Sequence, residues 1–285
     1  MRANRLIRSG SLLLSFAYAG TATGQAAAAP SFDAWNISYG VPPGWQLAQQ
    51  QGRVHGLSPA SPGSVVYVAP GPYQSFTDVA AELPKAFTAL GLTGMPTSQP
   101  SSATLNGMQA MTASYAAQSA QGLVFDVYIT ALLTGQGSGV VVMGVAPQQG
   151  AAQMRPAVDQ VAQSVVARGA PTSDPRAVAA LRGRWIFYSG RASPVTSPSG
   201  GGSRSYEETV EFDGSGRFAW QSSASVSVTA PGGSAGGANA NSDQGSYTVI
   251  GSTLVVRGQQ GMASYEVQIL ADRIIADGRT FFRAN

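Results

Sequence analysis

Eight strand-like runs follow one another through the last hundred residues with no helical period among them. They read as Arg184 to Arg191, Ser205 to Phe212, Arg217 to Val228, Gly245 to Ile250, Thr253 to Arg257, Ala263 to Leu270, Arg273 to Ala276 and Thr280 to Arg283. Asp213-Gly-Ser-Gly216, Gly251-Ser252 and Asp277-Gly278 fall between runs and supply the residues that tight hairpins require. An open meander of this kind leaves two unpaired edges, and closing the sheet on itself removes both. The pattern therefore predicts an all-β up-and-down small barrel over residues 181–285.

The residues before it follow a different rule. A short strand at Ile37 to Gly40 and another at Ser64 to Ala69 precede Ser75-Phe-Thr-Asp78, which reads as a capping box ahead of an amphipathic helix. Val79, Leu83, Phe87 and Leu90 share one face of that helix. Pro84 removes a backbone donor, which predicts either a kink or a start near Ala81 with the proline in the first turn. Strands at Gly107 to Ala117, Leu123 to Thr134 and Gly139 to Ala146 follow, the middle one with strict alternation of faces. A second helix at Ala151 to Arg168 places Met154, Val158, Val161 and Val165 together. Tight hairpins and this element order predict an antiparallel sheet with packed helices, so the chain as a whole belongs to the α+β class.

Turn formers without apolar period at Gly169-Ala-Pro-Thr-Ser-Asp-Pro175 mark a boundary. The expected organisation is a signal peptide at 1–29, an α+β domain at 30–168, a linker at 169–180 and a barrel domain at 181–285. The leader is expected from Arg2, Arg5 and Arg8, an apolar stretch from Leu12 to Ala19 and small residues around 22 to 29. That stretch is shorter than the roughly 20 residues a spanning helix needs, which predicts cleavage and no stable membrane anchor afterwards. The expected location is the bacterial periplasm or the medium. The three leader arginines equal the whole surplus of 17 basic over 14 acidic residues. The remainder is balanced and lacks a clustered basic face, so nucleic acid is not an expected partner.

Two resemblances follow from these residues. Tyr39-Gly-Val-Pro-Pro-Gly-Trp45, the strand at Ser64 to Ala69, the early helix, the three long strands and the closing helix together resemble the Mog1/PsbP-like fold over residues 32–168. The resemblance implies a sheet sandwiched by helices, and a binding or assembly-assisting module with no catalytic set to carry over. Leu181-Arg-Gly-Arg-Trp185, Phe212-Asp-Gly-Ser-Gly-Arg-Phe218 and Gly245 to Leu254 resemble small bacterial lipocalin-like domains over residues 181–285. That resemblance implies a barrel able to enclose a small apolar ligand, although eight strands can equally be filled by side chains.

Few residues carry chemistry. The one histidine, His55, has no neighbouring nucleophile and carboxylate, and reads as a surface or turn residue. With no cysteine, disulfides and a lipoprotein anchor are not expected, nor are zinc or copper sites; no metal or cofactor is expected. Asp213 with the Gly214 and Ser215 carbonyls lacks the acidic spacing of a calcium loop and reads as a hairpin turn. Glu208 shares a strand face with Tyr206, Val210 and Phe212, whereas Glu207 and Glu211 lie on the other. If the apolar face points inward, Glu208 needs a ligand or an arginine such as Arg184, Arg217 or Arg283 as its partner; a structural ion pair at the barrel rim is the alternative and slightly preferred reading. Trp185, Phe187, Phe218, Trp220, Tyr247, Tyr265, Phe281 and Phe282 suffice to fill a small barrel. Glu208, Trp220 and Tyr265 are the candidate ligand-binding residues. Glycine-rich Ser193 to Ser203 and Ala230 to Asn241 read as flexible insertions at one end of the barrel. The expected function is an exported non-catalytic binding or assembly-assisting protein of the cell envelope, its partner an envelope protein or a small apolar ligand. The alternative is a carrier of that ligand in the barrel, and the last reading a hydrolase using Glu207, Glu208 or Glu211.

Overall fold

The structure is a computed structural model and describes residues 29–60, 63–193, 201–230 and 233–284. Apart from residue 29, the expected signal peptide lies outside the described residues. So does the middle of the first glycine-rich insertion, residues 194–200.

The first part is an eight-stranded antiparallel sheet with a helix on each face. Its strands are β3 (Trp45–Gln51), β4 (Val54–Pro59), β5 (Val65–Gly71), β6 (Leu92–Pro96), β7 (Ser101–Leu105), β8 (Met108–Ser119), β9 (Val124–Leu133) and β10 (Gly139–Pro147). They lie in the order β3-β4-β5-β10-β9-β8-β6, with β7 also paired to β8. A small three-stranded sheet, β1 (Ser31–Phe32), β2 (Ile37–Ser38) and β11 (Val166–Ala167), stands beside it. Strand β10 is central and is buried along most of its length, as its near-continuous Val140-Val-Val-Met143 run requires.

Helix α1 (Phe76–Ala89) covers one face with Val79, Leu83 and Phe87. Its capping box forms as expected: Ser75 Oγ accepts from the Asp78 amide and the Asp78 carboxylate accepts from the Ser75 amide. The helix starts at Phe76 and runs through Pro84 without starting late. Pro84 lies on the exposed side, where water can satisfy the carbonyl that the proline leaves without a donor. Helix α2 (Ala151–Ser164) covers the other face through Met154, Val158 and Val161. Gly144 on β10 lets it approach, since a Cβ there would overlap Met154 and Val158. The helix ends four residues sooner than its apolar period suggests, because Val166 and Ala167 pair with β2 instead.

The second part is a closed eight-stranded barrel: β12 (Gly183–Ser193), β13 (Gly201–Phe212), β14 (Arg217–Ala230), β15 (Gly233–Ile250), β16 (Thr253–Gly258), β17 (Gly261–Ile269), β18 (Arg273–Ala276) and β19 (Arg279–Arg283). All neighbours are antiparallel and consecutive, and β12 closes the ring against β19. The second insertion corrects the sequence reading. From Gly233 onward it is strand, paired residue by residue with β14. Small residues with turn-like composition take the extended form here because a neighbouring strand satisfies their backbone.

The segment between the two parts is strapped down. The Thr172 amide donates to the Ala34 carbonyl and the Asp174 amide to the Val249 carbonyl, at 2.7 and 2.8 Å. Asn36, in the left-handed region at φ 54°, donates from Nδ2 to the Ala170 carbonyl. Helix α3 (Pro175–Ala180) then leads into the barrel. Ile250 and Val255, on the outer wall of the barrel, pack into the apolar cluster of Phe32, Trp35 and Leu57. Arg53 Nη2 donates to Ser264 Oγ across the same contact.

His55 is a core residue of this first part, contrary to the surface reading. It is 6% exposed, with the Phe32 ring stacked on it at 4.0 Å between centroids and Tyr39 Oη 2.8 Å from its Nδ1. The sequence reading lacked β4, which turns this side chain inward opposite Val68. Burial lowers its pKa below the usual 6.5. The unfolded chain therefore takes up a proton near pH 6.5 that the folded chain refuses, and stability falls as pH drops from there toward the folded value. Urea midpoints at pH 7.5 and 5.5 should show that decline in the wild type and a smaller one in His55→Gln; equal declines would contradict the assignment.

Candidate functional site

One end of the barrel is plugged by its own opening motif. Leu181 and Trp185 are fully buried, and Trp185 Nε1 donates to the Leu181 carbonyl at 2.7 Å. Gly183 between them has φ 129°, a region that side chains rarely adopt, and this lets the chain pass from α3 into β12. Arg283 lies 4.4 Å over the Trp185 ring and donates to the Arg182 and Ala180 carbonyls. Phe212, Tyr247 and Val249 complete the packing, with Tyr247 Oη donating to the Val178 carbonyl. The β13–β14 hairpin at this end is held by Asp213, whose carboxylate accepts from the Ser215 and Arg217 amides and the Ser215 hydroxyl. Those bonds depress its pKa to about 2. Its oxygens serve the turn.

Above the plug the barrel is hollow. A cavity of about 590 Å³ extends from Phe212, Phe218, Leu254, Ile274 and Phe281 up to Tyr206, Glu208, Trp220, Tyr265 and Arg279. The volume falls within the range of small-molecule sites, about 300–1,000 Å³. The registers explain why this end stays open. β19 pairs with β12 only at Trp185 and Ile186, and β18 pairs with β17 only from Val267 to Ile269. The short β18–β19 hairpin therefore leaves a notch in the wall, with its turn at Asp277 and Gly278 tied down by the Glu266 amide donating to Asp277 Oδ1. On the other side, β15 meets β16 only from Gly245 onward, so β12 to β15 rise above the rim as a four-stranded wall. Val226 and Val228 lie on the face of that wall continuous with the cavity and are exposed.

Glu208 organises the polar level of the cavity. It is 8% exposed and faces inward, as the alternation in its strand requires. Its Oε1 accepts from Trp220 Nε1 at 2.7 Å, and its Oε2 accepts from Tyr206 Oη at 3.1 Å and from Arg279. Arg279 in turn lies 4.2 Å from the Phe187 centroid and 5.2 Å from that of Phe281. The partner expected from sequence was Arg184, Arg217 or Arg283, and the structure corrects it to Arg279. Arg184 pairs in register with outward Glu211, Arg217 lies beside Ser246, and Arg283 serves the plug. Arg279 went unseen because the last strand was read from Thr280; the strand begins one residue earlier and aims the guanidinium inward.

The structure brings all three candidate residues, Glu208, Trp220 and Tyr265, to the same cavity. Burial raises the Tyr265 pKa above its usual 10.0, with the Lys85 ammonium opposing and the Glu208 carboxylate adding to the rise. Lys85 comes from α1, 5.9 Å from the Tyr265 ring centroid, so the first part of the chain reaches the rim of the second. Phe282 is 56% exposed and points outward, and is not among the filling aromatics. Glu207 and Glu211 are exposed on the outer face, away from Glu208. Glu207 and Glu211 therefore do not face Glu208 as acid and base roles shared among these three residues would need. A carboxylate held by three donors is instead a fixed acceptor.

No family model matches the chain, and no curated protein does. Solved structures do match part of it. LpqN, involved in cell envelope biogenesis of Mycobacterium tuberculosis, is 18% identical with a TM-score of 0.35, over 46% of this chain and 82% of LpqN. A Pseudomonas aeruginosa protein of unknown function is 16% identical with a TM-score of 0.33, over 45% of this chain and 89% of that one. Cyanobacterial PsbP from Synechocystis is 13% identical with a TM-score of 0.36, over 52% of this chain and 98% of that one.

Replacing Glu208 with Gln removes the charge facing Arg279 and one of the strong acceptors for Trp220 and Tyr206. The expected loss is about 1–3 kcal/mol, toward the lower end because the Arg279 side chain is 41% exposed and water can take its freed N–H groups. An unchanged denaturation midpoint would contradict the organising role of Glu208.

Proposed function

We propose that the chain is an exported, non-catalytic binding protein of the bacterial envelope that holds a small molecule with an apolar body in its C-terminal barrel. The observation that carries this reading is the hollow above the Trp185 plug. Apolar side chains line its deep end and hydrogen-bonding groups gather at its mouth, which is the distribution expected of a ligand site. A barrel needed only for its own stability would close-pack that volume, because empty apolar space costs stability. The arginine-bearing apolar leader in the sequence supports export. In this reading residues 30–168 form one domain, 181–285 another, and 169–180 the connection between them. The barrel is the carrier, and the sheet with its two helices is the part available to an envelope partner.

Titration with the neutral apolar fluorophore N-phenyl-1-naphthylamine tests the reading. Saturable binding near one site per chain is expected, weakened at least tenfold in Ala263→Phe, which fills the cavity from its wall, with the circular-dichroism spectrum retained. No saturable binding to the folded wild type, or equal binding to the variant, would overturn it.

A further inference from the structure

The charges around the cavity select the kind of ligand. Glu208, Asp243, Asp277 and Arg279 line it, and Lys85 with its partner Glu82 stands at Tyr265. Two of the acids already have a cation: Glu208 is paired with Arg279, and Glu82 holds Lys85 at 2.9 Å. Asp243 and Asp277 form no ion pair among the described residues. Each commits one oxygen to the backbone, Asp243 Oδ1 to the Gln244 and Gln259 amides and Asp277 Oδ1 to the Glu266 amide. Neither second oxygen, Asp243 Oδ2 nor Asp277 Oδ2, has a hydrogen-bond donor among the described residues. The cavity therefore carries two uncompensated negative charges at its polar level.

Its aromatic faces agree with that sign. Tyr206, Trp220 and Tyr265 line the same level, and ring faces attract cations. The protein's own Lys85 ammonium already lies over the Tyr265 ring. Arg279 does not reverse the balance. Its charge is met by Glu208, and the rings of Phe187 and Phe281 lie close to its guanidinium. An anionic head group would have to displace Glu208 from Arg279 and then face half-buried Asp243 and exposed Asp277, a like-charge contact that solvent and salt screen only in part.

We propose that the barrel binds an organic cation, an amphiphile whose apolar body fills the space between Phe218, Leu254 and Phe281 and whose ammonium head sits among Asp243, Asp277 and the Trp220 and Tyr265 rings. This rests on the reading of the barrel as a ligand site. Three probes of equal chain length, decyltrimethylammonium and decanoate below their micelle concentrations and decanol below its solubility limit, separate the two claims by displacement of N-phenyl-1-naphthylamine. The cation is expected to bind at least tenfold more tightly than the anion, with decanol between them. The Asp243→Asn, Asp277→Asn double variant should lose most of that preference while keeping its affinity for decanol. Raising the salt concentration should narrow the gap. Decanoate equal to or tighter than the cation would overturn the charge selection and leave the barrel site standing, as would an unchanged preference in the double variant. Failure of all three probes and of the fluorophore would overturn both.

Discussion

The hydrogen bond from the Trp185 indole to the Leu181 carbonyl fixes where the barrel begins. It seats the largest buried side chain of the barrel over its lower end, and the stack of Arg283 on the same ring ties the last strand to the first. With both ends of the chain's circuit joined at one level, closure of the sheet is settled there. The opposite level is free to differ. Long strands on one side and a four-residue hairpin strand on the other leave the upper end asymmetric, and the hollow follows from that mismatch.

Within the hollow, one buried carboxylate sets the geometry of three neighbours. Taking Glu208 out of water is unfavourable unless its oxygens are satisfied, and Trp220, Tyr206 and Arg279 satisfy them. Those bonds orient Trp220 and hold Arg279 against Phe187 and Phe281. The result is a hydrogen-bonded polar level above an apolar floor. The contact with the first part of the chain adds Lys85 to the rim, so packing between the sheet and the barrel bears on the mouth of the cavity as well as on stability.

Much of this was legible in the sequence, for identifiable reasons. Period-two alternation around Glu208 put it on one face with Tyr206, Val210 and Phe212, and the Leu-x-Gly-x-Trp opening marked the start of the barrel. Both signals are local. The capping box at Ser75 and Asp78 is local too, and it starts the helix at Phe76, ahead of Pro84. What escaped depends on pairing across distance. Gly233 to Gln244 has the composition of a loop and becomes strand because β14 is beside it. His55 lies in a strand too polar and glycine-broken to read as one, and only β5 and the Phe32 ring make it core. Arg279 follows a turn, and which way a residue faces just after a turn is fixed by register rather than by its neighbours in sequence.

The central claim is that a ligand occupies the chamber between the Trp185 plug and the polar level at Glu208. Four tryptophans report on it at known depths: Trp35 and Trp45 in the first part, Trp185 in the plug and Trp220 in the chamber wall. Fluorine NMR of protein labelled with 5-fluorotryptophan, titrated with decyltrimethylammonium, should move the Trp220 resonance and leave those of Trp35 and Trp45 in place. Saturable binding that shifts Trp35 or Trp45 and leaves Trp220 unmoved would contradict the account.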